Sequence, residues 1–215
     1  MRIPAMMTML AVIGTVAQAK GSSEAQPSLV TVYMQIDWAG GKFRPIYAKS
    51  LASEMFAKAS VRIRWRMGPP KRKQDVLPIL IEITSKTPTT LLPGALGYAQ
   101  VYEGIHIRIF GDRVENAGGV NLTDRLLAHV LVHEITHILE GVPHHSQDGV
   151  MKAHWTAHDL VRMSSRPLPF DPDDVALIHY GLAHYCLAGE MARSKTCSPA
   201  QHQLAQRQPA AILAN

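Results

Sequence analysis

Apolar residues alternate along LVTVYMQID, with Val30, Val32, Met34 and Ile36 on one side, and a period of two is that of a half-buried strand. From Pro45 to Ser60 the spacing lengthens: Ile46, Leu51, Met55, Phe56 and Ala59 recur at helical intervals, which predicts an amphipathic helix. VRIRWRM and ILIEIT follow as two more strands, and LLPGALGYAQVYEGIHIRIF, residues 91 to 110, predicts a strand pair around a turn near Glu103 and Gly104. GDRVENAGGVNLTD is rich in Gly, Asn and Asp and predicts a loop. Asn121 or Thr123 then caps a long helix carrying Leu126, Leu127, Val130, Leu131, Ile135 and Ile138, which stops at Gly141. FDPDDVALIHYGLA begins a last helix, with Asp171 as cap and Pro172 in the first helical position. A helix between the first two strands implies a parallel crossover, and the shorter connections later imply at least one antiparallel edge strand. The fold class expected is α/β or α+β, with a mixed sheet.

At 215 residues the chain fits one domain with a sizeable core. Its opening, MRIPAMMTMLAVIGTVAQAK, has an early Arg2, an apolar run from Pro4 to Val16, and small residues at Ala17 and Ala19, the layout of a signal peptide cleaved after Ala19. Residues 20 to 28 then form a polar lead-in, 29 to 197 the domain, and 198 to 215 a weakly specified tail. No later stretch approaches the ~18–20 apolar residues that a membrane helix needs, so the mature chain is expected to be secreted or periplasmic, with no stable membrane span. In an oxidising compartment the two cysteines, Cys186 and Cys197, are expected to form a disulfide closing a short loop.

The net charge of +5 raises the question of a nucleic-acid partner. Arg62, Arg64 and Arg66 alternate with Ile63 and Trp65, however, as the solvated face of a strand, and Pro69 to Lys73 suit an exposed loop. No nucleic-acid partner is expected. Nothing in the sequence speaks to oligomeric state.

Within HEITHILEGVPHHSQDGVM, residues 133 to 151, His133 and His137 lie four residues apart on the long helix, so both imidazoles emerge on one face, one turn apart. That spacing lets two ring nitrogens reach one Zn2+ ion, with Glu134 beside it as a general base and then acid for a water. A catalytic zinc takes three protein ligands as a rule. Gly141 supplies a left-handed stop that turns the chain back, and His144 and His145 come next. His129, on the same face, is taken as a residue flanking the site.

These residues resemble the metzincin clan of zinc peptidases, whose pattern is HExxH, a turning glycine, a third zinc histidine and a methionine in a tight turn. His133, Glu134 and His137 match directly, Gly141 matches with one residue inserted before it, and Gly149, Val150 and Met151 are similar to the methionine turn. The resemblance implies a peptidase with one zinc ion, a peptide or protein substrate, and Met151 as a hydrophobic floor under the ligands. Because of the insertion, spacing leaves both His144 and His145 open; the His-Ser of matrix-type metzincins matches His145 and Ser146 and favours His145. The resemblance further implies a twisted sheet whose antiparallel edge strand, LGYAQVY at 96 to 102, pairs with an extended substrate. Two other readings stand beside it: a gluzincin, with Glu190 as a downstream third ligand, and a non-catalytic zinc-binding protein on the same scaffold. Residues 152 to 170, with Trp155, Met163, Leu168 and Phe170, line the specificity pocket in no order the sequence reveals.

Overall fold

A computed structural model describes residues 28–37, 41, 43–70, 78–88, 91, 94–101, 105–193 and 210–214, with side chains omitted for 185–193 and 210–214. The elements run β1 (Ser28–Asp37), α1 (Pro45–Lys58), β2 (Val61–Met67), β3 (Ile79–Thr84), β4 (Ala95–Ala99), β5 (His106–Phe110), α2 (Gly111–Glu140), β6 (His154–Trp155), α3 (Ala157–Ser165), α4 (Pro172–Arg193) and β7 (Ala210–Ala214). The expected signal segment, residues 20–27 of the lead-in and Cys197 lie outside the described residues, as do the side chains of Cys186 and Glu190, so the disulfide and the gluzincin ligand find no structural counterpart here; Ser28, the last residue of the lead-in, already opens β1.

The strands form one mixed sheet in the order β2-β1-β3-β5-β4-β7-β6. β1 runs parallel to β2 through the α1 crossover and parallel to β3, and β3 runs parallel to β5. β4 turns back antiparallel to β5, with Tyr98 opposite Arg108. The alternation of β1 does its expected work: Val30, Val32 and Met34 are buried together with Ala48, Leu51, Met55 and Phe56 of α1. Arg62, Arg64 and Arg66 of β2 are exposed, as their alternation predicts. Ile46 departs from the expected helix face; it is 80% exposed, because it lies on the opposite side of α1 from Ala48, Leu51, Ala52 and Met55, which are buried.

Three stretches differ from expectation. The supposed loop at 111 to 124 is helical, since α2 starts directly after β5 with Phe110 as its cap residue. Its two halves are joined through Gly119, at φ 57 and ψ −159, a backbone state open to glycine. Thr123 donates its hydroxyl hydrogen to the Gly119 carbonyl, so it closes this kink rather than capping a new helix. Residues 157 to 165, an irregular stretch by their sequence pattern, form α3, started by Thr156, whose side chain accepts from the Asp159 N–H while the Asp159 carboxylate accepts from the Thr156 N–H. Lastly, β4 is not the edge of the sheet. β7, in the stretch expected to be unspecified, pairs antiparallel with β4, and β6 pairs parallel with β7 beyond it.

The second half of α2 is the centre of the molecule. Every residue from Leu126 to Glu140 is buried, because the helix is enclosed by the sheet, α1, α3 and α4. α4 approaches it through Gly181, where an added Cβ would lie 1.8 Å from the Leu139 carbonyl oxygen. No helix among the described residues is long and apolar enough to cross a membrane.

Candidate metal centre

Two histidines one turn apart on a buried helix must point at the same place, and they do: His133 Nε2 and His137 Nε2 are 3.0 Å apart, with the rings at 86°. The chain then reverses at Gly141, which is left-handed at φ 71 and donates its N–H to the His137 carbonyl. Two short backbone links shape the loop that follows: Ser146 N–H donates to Met151 O, and Val150 N–H donates to Pro169 O, both at 2.9 Å. Gly149 makes the turn possible, with φ 82 and only 2.4 Å between a would-be Cβ and the Pro169 carbonyl oxygen.

This loop carries His145 back over the helix. Its ring centroid is 5.3 Å from that of His133 and 4.9 Å from that of His137. One ligand atom from each of His133, His137 and His145 falls within 4.8 Å of the others, a set that could hold a metal ion. His144, one residue earlier, points elsewhere, with Nδ1 3.7 Å from both Glu140 Oε2 and Asp174 Oδ1. The doubled histidine is thus divided between two places.

The chemistry of the trio suits a cation. Burial pushes His133 down to about 3 and holds His137 well below the usual imidazole range, with His133 and His145 adding to the effect on His137; burial also lowers His145. All three rings are therefore neutral near pH 7 and offer lone pairs, the state that metal binding needs. His133 Nδ1–H donates to the Val150 carbonyl at 2.9 Å, which leaves Nε2 bare toward the centre. His145 Nε2 is buried with no hydrogen-bond partner in the protein, an orphan that a zinc ion would satisfy. The donor set thus fits zinc at one position, where three imidazoles leave the fourth place of a tetrahedral ion to another ligand.

Around the trio, Met151 and Val150 are fully buried in the turn, and Trp155 sets its ring edge-on to His133 with centroids 5.7 Å apart. Glu134 is fully buried, and Gly97 of β4 lies over it, with a would-be Cβ 3.4 Å from Glu134 Oε1. Gly97 is a site residue that the sequence analysis missed. A lone glycine in a strand pattern is the available signal, since it often marks close approach of backbone. His129 stays apart from the trio. Its Nδ1–H donates to Arg125 O at 2.7 Å, and its Nε2 accepts from Leu168 N–H at 3.0 Å.

No protein-family model and no curated protein matches the sequence. Among solved structures, archaemetzincin from Methanopyrus kandleri matches with a TM-score of 0.53 and 13% identity, covering 74% of this chain and 99% of that one. The two chains share a fold. The expected architecture, a mixed α/β domain of metzincin-like fold, is therefore that of the protein, and the three histidines gather on the helix and loop that this fold brings together.

Proposed function

We propose that the protein is a zinc-dependent endopeptidase of metzincin type, with one zinc ion on His133, His137 and His145 and with Glu134 as the general base. The observation that carries this reading is the convergence of three neutral imidazoles on a metzincin-like scaffold, with the fully buried Glu134 next to His133 in the chain. Bound zinc would polarise the scissile carbonyl and make its water more acidic. Glu134 takes the proton of the attacking water and returns it to the leaving nitrogen, so no covalent intermediate is needed. Val150 O holds the His133 ring through Nδ1, and Met151 and Trp155 close the floor and one wall against bulk water. An extended peptide chain is the substrate, paired along β4 in the strand position that Ala210–Ala214 holds in this structure, where Gly97 brings the β4 backbone close to Glu134.

The matrix-type His-Ser pair, here His145 and Ser146, supports His145 over His144. The layout of residues 1 to 19 supports export to a secreted or periplasmic location, with a protein or peptide as the partner and no nucleic acid. The reading is tested by hydrolysis of a broad peptide library, wild type beside Glu134→Gln, at matched zinc content. Zinc bound by both and cleavage by wild type alone is the expected result; equal inertness of both chains would leave a zinc-binding protein without peptidase activity.

A further inference from the structure

We infer that Glu140, His144 and Asp174 form a second divalent-cation site, separate from the histidine trio. Glu140 ends α2, His144 lies in the following loop, and Asp174 lies in the first turn of α4. His144 Nδ1 is 3.7 Å from Glu140 Oε2 and from Asp174 Oδ1, and one ligand atom from each of the three lies within 4.8 Å of the others. These separations exceed hydrogen bonds but suit a shared ion, since two ligands of one tetrahedral zinc stand roughly 3.4 Å apart at bonds of about 2.1 Å. The carboxylate of Glu140 is the decisive group. Its side chain has no solvent exposure, and neither oxygen has a hydrogen-bond partner.

Asp174 has other duties, accepting from Ser146 Oγ and from Asp171 N–H, but Glu140 has none. Two buried carboxylates side by side repel one another, and burial with Asp174 nearby pushes Glu140 up to about 8. A divalent cation offsets both charges and satisfies the idle oxygens. One imidazole and two carboxylates suit zinc or manganese, with water completing the shell. Such an ion ties the loop bearing His145 to the start of α4, so its role is to hold that loop in place.

The test is a count of zinc equivalents retained through desalting, after the full chain has been stripped with chelator and reloaded with zinc chloride. Wild type retains two equivalents; Glu140→Gln with His144→Ala retains one, and so does His137→Ala. Without metal the Glu140 carboxyl is mostly protonated near pH 7, so Glu140→Gln keeps both its shape and its charge, and the His144 side chain is one-third exposed; the metal-free double variant therefore keeps the thermal midpoint of metal-free wild type, and loss of the second equivalent is not loss of fold. One equivalent in wild type, or two in the Glu140→Gln/His144→Ala chain, overturns the site.

A second inference comes from the strand pairing and rests on the peptidase reading. We propose that Ala210–Ala214 occupies the strand position of an extended substrate. β7 runs antiparallel to β4, with Ile212 opposite Gly97, and parallel to β6, with Leu213 opposite His154 and Ala214 opposite Trp155. It is therefore bracketed by the glycine that covers Glu134 and by the residue packed on His133. The chain carries its own competitor there, an Ala-Ala-Ile-Leu-Ala strand, and the cleft takes extended peptides of small and aliphatic residues.

Ile212→Pro with Leu213→Pro in the full chain removes two successive backbone donors, one facing each neighbouring strand. A capped, fluorescent Ala-Ala-Ile-Leu-Ala peptide, followed by anisotropy in the Glu134→Gln background, binds the proline chain at least tenfold more tightly than the chain with native β7. With Glu134 intact, the prolines raise peptide turnover by a similar factor. Equal peptide affinity with and without the prolines overturns the docking and leaves the peptidase reading intact. Tight binding to the proline chain, with no cleavage by any chain, supports the docking and defeats the peptidase reading.

Discussion

Gly181→Ala sets two effects of opposite sign against each other. Gly181 lies inside α4, where alanine is the better helix former by roughly 0.8–1 kcal/mol, so on propensity alone the variant gains stability. Its added methyl, however, meets the Leu139 carbonyl oxygen at 1.8 Å and the Leu139 carbonyl carbon at 2.9 Å. Both are backbone atoms of α2, so no side-chain rotation relieves the contact. The helices must part by roughly 1 Å or more, in a core where overpacking typically costs ~1–3 kcal/mol and at times more. With a backbone-to-backbone clash the upper end applies, and the net loss expected is about 2–3 kcal/mol, or roughly 4–12 °C in thermal midpoint for a chain of this size. Urea unfolding followed by circular dichroism gives the value, provided the slope with denaturant is unchanged. Because Leu139 lies only two residues beyond His137, zinc affinity falls as well. A variant as stable as wild type, or more stable, would show that α4 does not cross α2 at Gly181.

Further outcomes follow from individual side chains. His145→Ala lowers zinc affinity at the trio at least a hundredfold, whereas His144→Ala leaves that site within a few-fold, as read by competition with a chromophoric chelator; the reverse ranking would exchange their roles. Buried His129 is held down to about 4 from 6.5, mainly by burial. Above pH 6.5 it is neutral both folded and unfolded; below that the unfolded chain takes up a proton that the folded chain refuses, so stability drains away between pH 6.5 and 4, by at most ~3 kcal/mol. The stability advantage of wild type over His129→Asn should therefore shrink across that window in denaturant titrations, and an advantage constant with pH would refute the assignment. Thr156→Ala removes the cap of α3 and costs about 1 kcal/mol, seen as a small drop in urea midpoint; no drop would mean that α3 starts without its cap.

Much of this architecture is legible in the sequence because burial imposes a period. β1 and β3 and the buried face of α1 each alternate or recur as their packing on one core demands. α4 announces itself through Asp171 and Pro172. The first half of α2 does not: in GDRVENAGGV only Gly111 and Val114 are buried, so there is almost no apolar face to read, and the two glycines suggest a loop where they serve a kink. α3 has Thr156 and Asp159 at cap spacing, but its buried apolar face amounts to Met163 with half-buried Leu160, too little to read as a helix. β7 has no local signal because its hydrogen bonds come from β4 and β6, more than fifty residues away in sequence. Within the site, His133, Glu134 and His137 follow from helical spacing alone. The placement of His145 depends on how Gly141, Gly149 and the Ser146–Met151 link fold the loop, and a one-residue insertion hides that from any count of positions. Gly97 belongs to the site only through the sheet, which no local pattern encodes.

In the function we propose, a zinc ion on His133, His137 and His145 acts with Glu134 to cut peptide bonds. The most direct measurement is mass-spectrometric detection of cleaved peptides after the zinc-loaded protein, as wild type and as Glu134→Gln, is incubated with a diverse peptide library. Both chains carry the Ile212→Pro/Leu213→Pro substitutions, so that the cleft is open. New peptide termini are expected with wild-type Glu134, and at least a thousandfold fewer with Glu134→Gln, at equal zinc content. Equal and negligible cleavage by both chains, with zinc bound, would contradict that function.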